Sequence, residues 1–447
     1  MAKEISNLVK RIWGIAEFGE GFMTSVSNLY FAVFLTDIAR LPLGYVSVIL
    51  MLTSIADFII APLCGGIIDG TAPMRWGKLR SWLLICPPIV LFTGTMQFIV
   101  LPNALLNTIV IIFAFIVRIT AFNIQVSANY ALVPFMAAND KDRALLSSNR
   151  MTGSNIGRLI AGYAAPLTLA FFVSKIGDYG YMALTFSFSV MLVIGYLVHF
   201  ALSKDYETGE VIKQEKRVTI RQMLTALRTN PDLAGLMLSD MTSTLGSFLL
   251  PSLVVYFYNH VIREPTLVAR HMLLVGIGGM CGAYISRYLG KKFHARTVCL
   301  TLYPLISALL FSTRFFAYNP LIFMLINTAM QFCIGMTQPL EGMLYMDIAD
   351  YSEWKTGVNT TAFIMGLNNV PIKVAVIVKN VILSAMLVAV GYTAGETSTP
   401  ELQQGIINAY SIVPAIIPMI GFISLKFCYK LTPQMMLEVR KKTNRFK

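Results

Sequence analysis

The chain has 447 residues, 56% of them hydrophobic and 13% charged, with a formal net charge of +13. A soluble domain carries roughly 25% charged residues, so the composition excludes an ordinary globular protein. The positive balance would suit a nucleic-acid surface only if its Lys and Arg were gathered in a folded polar domain, and the chain has none.

Apolar runs long enough to cross a hydrocarbon core of ~30 Å as helices recur from Ile12 to Cys428. Twelve spans are predicted, at about 13–38, 43–69, 81–101, 107–134, 150–174, 180–202, 232–260, 266–288, 297–317, 319–347, 358–391 and 405–429. The expected fold class is an all-α membrane protein. Its longest hydrophilic stretch, Ser203 to Asn230, follows the sixth span. The predicted organisation is a six-helix bundle over 1–203, a linker over 204–230 and a second six-helix bundle over 231–447. Lys3, Lys10 and Arg11, then Arg75, Lys78 and Arg80, the linker, Lys291, Lys292 and Arg296, and Arg440 to Lys447 fall where alternate crossings leave one side. The opposite loops hold little besides Arg40, Lys175 and Arg263. By the positive-inside rule both termini are cytoplasmic, in the cytoplasmic (inner) membrane. The basic charge therefore reports orientation, and no nucleic-acid partner is expected.

The six cysteines lie in or beside apolar runs without a close pair and read as small core residues. The four histidines are scattered, so no metal site is expected. No zinc-protease, nucleophile-elbow or nucleotide-loop pattern occurs, and there is no soluble domain to house one, so an enzyme is not expected. Gly14, Gly19, Gly153, Gly157 and the Gly65–Gly66 pair are assigned to close helix packing.

Charges inside spans cost ~2.5–3.5 kcal/mol each on insertion scales, which marks them as functional candidates. Asp57, Arg118 and Lys373 lie near the middle of their spans. A guanidinium binds carboxylate, sulfonate or phosphate bidentately. Arg118 with Lys373 therefore favours an anionic substrate group, unless Glu17 or Glu20 neutralises Arg118. Asn28, Asn123, Gln125, Tyr130, Gln338, Asn368 and Asn369 are polar candidates for orienting hydroxyls. Glu341 and Asp240 read equally as gate charges, helix-end charges or ligands.

Two passages narrow the field. One is DFIIAP (Asp57 to Pro62) followed by GGIIDG (Gly65 to Gly70) and RWGKLR (Arg75 to Arg80); the other is DIADYSEWKTG (Asp347 to Gly357). With LVP (Leu132 to Pro134) before DKDRALL, and GYT at Gly391, the chain resembles the glycoside–pentoside–hexuronide:cation symporters, the melibiose-permease-like family of the major facilitator superfamily. The resemblance implies two six-helix halves and alternating access. It also implies a latch formed by Asp69, Arg75 and Asp350 and a cation site on helices two and four.

Asp57 matches the family's first cation-site acid, whereas the second falls on Ala61 and the helix-four hydroxyl on Asn123. Sodium coupling is accordingly doubtful, and the expected coupling ion is the proton, carried by Asp57 with Lys373 and Asn123, or none at all. No cofactor is expected. Expected substrate contacts are Arg118, Glu20, Tyr130, Arg150, Gln338, Asn368, Asn369 and Lys373, because the family's sugar-binding acids are replaced here. The predicted function is proton-coupled secondary transport of a sugar or glycoside, with an acidic, uronide-like saccharide favoured. A uniporter and a multidrug or lipid-type exporter of the same fold are the alternatives. The only partners expected are the small-molecule substrate and the lipid bilayer around a monomer.

Overall fold

A computed structural model describes residues 5–72, 74–137, 140–207, 230–356, 364, 367–392 and 399–442. The described residues are built from helices: α1 (Asn7–Ile12), α2 (Ile15–Val33), α3 (Leu43–Gly70), α4 (Arg80–Met96), α5 (Ala104–Met136), α6 (Asp140–Ile176), α7 (Gly180–Leu202), α8 (Pro231–Phe257), α9 (Leu267–Lys292), α10 (Ala295–Ser312), α11 (Pro320–Thr356), α12 (Asn369–Ala389), α13 (Pro400–Ser411), α14 (Val413–Phe427) and α15 (Pro433–Lys442). Each predicted span overlaps one of these helices, the last the pair α13–α14, and the start of the eleventh, 358–363, lies outside the described residues.

Nine stretches of described residues are long and apolar enough to cross a membrane, one of which, Leu145–Leu202, contains both α6 and α7. Among the other predicted spans, α2 is diluted by Glu17, Glu20 and Asn28, and α4 has only 17 residues. Prolines inside helices, among them Pro62, Pro134 and Pro339, are compatible with spans whose freed backbone groups find partners in neighbouring helices.

The chain divides into two compact units, the first being Met1–Ile212 with Glu264–Leu273 and Tyr392–Thr397, and the second the remainder. In unit 1, α2 packs against α6 and α7, α3 against α5, and α4 against α5 and α7. Glycines allow α2 to approach closely: a Cβ on Gly153 would lie 2.1 Å from the Gly14 carbonyl oxygen, and one on Gly157 2.2 Å from that of Phe18. Gly66 does not follow this pattern, because a Cβ there would meet nothing within 4 Å. The core around them includes Trp13, Met23, Leu83, Val90, Leu132, Leu192 and Tyr196.

In unit 2, α8 packs against α12 and α14, and α10 against α11 and α14. The first long helix of each unit ends alike, α2 running into a π-helical turn at Phe34–Ile38 and α8 into one at Tyr258–Ile262. Asn103 and Asn230 cap α5 and α8 by accepting from the amides of Leu106 (3.0 Å) and Leu233 (3.2 Å). Each such cap contributes about 1 kcal/mol.

Two motifs acquire structural meaning. In RWGKLR, Gly77 has φ +106, and a Cβ there would collide with the carboxylate of Glu207. That carboxylate accepts from the amides of Leu79 (2.7 Å) and Arg80 (3.0 Å), while the Arg80 guanidinium donates to the Phe200 carbonyl (2.8 Å) and the Ser203 hydroxyl (3.2 Å). Arg80 thus pins the start of α4 to the end of α7. DIADYSEWKT continues α11 as helix to Thr356.

Candidate functional site

In unit 1 the polar groups inside the spans converge on the inner face of α2. Glu17 and Glu20 stand on this helix. Glu17 is 3% exposed and accepts, through Oε1, from the Arg150 guanidinium of α6 and from the Asn129 amide of α5 (2.9 Å). The Asn129 carbonyl oxygen meets His199 Nδ1 of α7 at 2.9 Å, and the His199 ring stacks on Trp13 with centroids 4.0 Å apart. The Arg150 guanidinium also lies over the exposed ring of Tyr130, 3.4 Å from its centroid. Glu20 accepts from the Tyr196 hydroxyl. Glu17 Oε2, Arg150 Nη2 and His199 Nε2 have no hydrogen-bond partner.

A second group lies on α3 and α5. The Asn123 amide donates to Asp57 Oδ1 (2.9 Å), so these two expected coupling residues are in contact. Arg118 is 5% exposed, with its guanidinium 4.7 Å from the Phe115 ring centroid and its Nε unpartnered. The charge of Asp57 reaches it. Arg118 nevertheless forms no ion pair within 4 Å among the described residues. The carboxylates that could have neutralised it are committed elsewhere, Glu17 to Arg150 and Glu20 to Tyr196. Gly94 gives Arg118 its place, because a Cβ there would lie 3.3 Å from Arg118 Cδ.

Unit 2 is built differently. Glu341, in the interior of α11, accepts from the Tyr303 hydroxyl and from Ser243 Oγ (3.1 Å). Asp240, on α8, accepts from the Tyr345 hydroxyl (3.0 Å) and Thr244 Oγ1 (3.4 Å). Both acids are buried, at 1% and 7% exposed, which corrects their reading as helix-end charges. Beside them is a small cavity of about 10 Å³, the space of a single water, lined by Thr242, Ser243, Gly246, Tyr303 and apolar side chains.

The other expected contacts are placed less tightly. Gln338 is exposed and 3.4 Å from Ser247 Oγ, while Asn368 and Lys373 are half-buried at and just inside the start of α12. The side chains of Asn369 and Asp69 lie outside the described residues. Of the expected latch, Arg75 is exposed near the Trp76 ring and Asp350 is half-buried on α11.

Sequence reasoning missed three things: the commitment of Arg150 to Glu17, the Asn129–His199 extension, and Lys379. Lys379 was legible, since it interrupts the apolar run VAVIVKNVIL. The other two join residues 112 or more positions apart, or 70 for Asn129 and His199, and had no local signal. Among the described residues no group of three or more His, Cys, Asp or Glu could hold a metal ion.

Apolar helices with buried charges between them define a multi-span membrane protein. The chain belongs to the family described as MFS/sugar transport protein, whose model matches residues 12–433. The expected membership among glycoside-type symporters is borne out, and the protein is a transporter, not an enzyme.

It is 23% identical over 449 residues to the isoprimeverose transporter of Lactiplantibacillus pentosus, covering 96% of this chain and 90% of that one. It is also 23% identical over 430 residues to a putative sulfoquinovose importer of Escherichia coli (strain K12), covering 95% and 91%. The crystal structure of a D-xylose–proton symporter shares the fold with a TM-score of 0.66 at 13% identity, covering 96% of this chain and 98% of that one.

Proposed function

We propose that the protein moves an acidic saccharide, carrying a carboxylate or sulfonate, across the cytoplasmic membrane by proton-coupled alternating access, with both termini in the cytoplasm. The relatives divide over substrate charge: isoprimeverose carries no acidic group, whereas sulfoquinovose is a sulfonated sugar. The observation that carries the acidic reading is Arg118, a buried guanidinium whose Nε is unpartnered while Glu17 and Glu20 are engaged elsewhere. An anionic substrate group supplies what this guanidinium lacks, in the planar geometry it binds best.

Glu20, Tyr130 and Arg150, gathered on one side of α2, are the proposed contacts for sugar hydroxyls. Asp57 is the proposed proton carrier of unit 1. The Asn123 amide donates to it, and Ala61 one turn later offers no second carboxylate for a sodium cage.

The test is uptake by the purified full-length protein in proteoliposomes, with labelled methyl glucuronide against methyl glucoside. Wild-type protein is expected to favour the glucuronide by roughly tenfold, the worth of one charge-assisted contact, and Arg118→Gln to lose that preference. Preference for the glucoside, unchanged in Arg118→Gln, refutes the acidic reading. Protonophore is expected to abolish accumulation, and uptake indifferent to it removes the coupling reading.

A further inference from the structure

Lys379 is the most isolated charge-bearing side chain of unit 2. It sits at the middle of α12, ten residues from each end of Asn369–Ala389, and is 8% exposed. At 1.5 Å per residue its Cα is about 15 Å from either helix end, too far for a lysine stem to carry its amine to an interface. Among the described residues it makes no hydrogen bond and no ion pair, and no charged group lies near enough to act on it.

The titratable groups around it account for themselves. The helix packed on α12 is α8. There Asp232 accepts from the Lys430 amide, and Asp240 accepts from Tyr345 and Thr244. Tyr256 follows on α8, with Tyr258 and His260 in its terminal π-turn. On α12 itself, Lys373 is six residues earlier, about 120° away around the helix.

A charged amine at this depth costs ~2.5–3.5 kcal/mol on insertion scales, and such a cost is removed either by a counter-charge or by release of the proton. No counter-charge is present among the described residues. The small cavity beside Glu341 has room for no more than a water and does not have Lys379 in its lining. A proton needs no cavity.

We infer that Lys379 is a proton-binding site of the transport cycle. Burial disfavours the charged amine in the conformation described, and it takes a proton from water when α12 is opened to one side of the membrane. The proton returns to water on the other side when burial is restored. This rests on the proton-coupled reading above and adds a second carrier, in the unit that does not contain Asp57.

The first test does not depend on transport. In full-length protein labelled with 13C at lysine Cε, the Lys379 signal is identified by its loss in Lys379→Met. At about pH 9, where exposed lysines are still charged, that signal is expected to be that of a neutral amine. An ammonium signal overturns the proposal.

The second test uses proteoliposomes with an inward gradient of about one pH unit, which drives about tenfold accumulation at one proton per substrate. Lys379→Met and Lys379→Gln are expected to lose gradient-driven accumulation of methyl glucuronide yet keep its exchange at equal pH. Accumulation equal to wild type in either variant overturns the coupling role. Wild-type protein that binds the proton at Lys379 but shows no gradient-driven uptake removes the proton-coupled reading while leaving the site itself standing.

Discussion

The two units treat buried charge in opposite ways. In unit 1 a buried carboxylate, Glu17, is met by a guanidinium and an amide. In unit 2 Asp240 and Glu341 are met by hydroxyls, and Lys379 by no charged or hydrogen-bonding group among the described residues. A carboxylate held by a guanidinium has one workable charge state, since protonating it strands the cation. A carboxylate held by hydroxyls has two, because a hydroxyl donates to the ionised form and accepts from the protonated one. The contrast assigns constancy of charge to the Glu17–Arg150 centre and changeable charge to the interior of unit 2.

Three substitutions probe that contrast through the stability of the purified protein. Glu17→Ala is expected to cost the most, about 3–5 kcal/mol, because it leaves Arg150 buried without its counter-charge. Adding Arg150→Met should recover part of the loss, and strictly additive losses in the double variant would remove the pair as an energetic unit. Tyr345→Phe deletes one donor to Asp240 and is expected to cost about 1 kcal/mol. A loss as large as that of Glu17→Ala would show unit 2 to be as charge-locked as unit 1. Glu341→Gln should have the smallest effect, under ~1 kcal/mol in thermal unfolding at neutral pH, since Tyr303 can still donate to the amide oxygen while the Ser243 hydroxyl accepts from the amide nitrogen. A several-kcal/mol loss there would erase the difference between the units.

Much of the outline was legible in the chain. Span positions follow from apolar runs, and the family from DFIIAP, RWGKLR and DIADYSEWKTG. The Asp57–Asn123 contact followed from the family pattern of helices two and four. The helix-packing glycines were readable except Gly66. What could not be read was allegiance. Arg150 looked like a substrate cation, and three of its neighbours, Glu17, Asn129 and His199, carried no signal as a group. Arg118 could have been neutralised by either acid of α2, and only the placement of Arg150 and Tyr196 directs those acids away from it.

By itself the sequence determined that the chain is a helical membrane transporter and where its helices run. Those properties depend on local hydropathy, because each span must satisfy its own backbone and present an apolar surface to lipid. Which charge answers which was decided by the tertiary structure alone. The partners of Glu17 lie 112 and 133 residues away on α5 and α6, and only the packing of those helices brings them within bonding distance. The isolation of Lys379 arises in the same way, from what the neighbouring helices fail to place beside it.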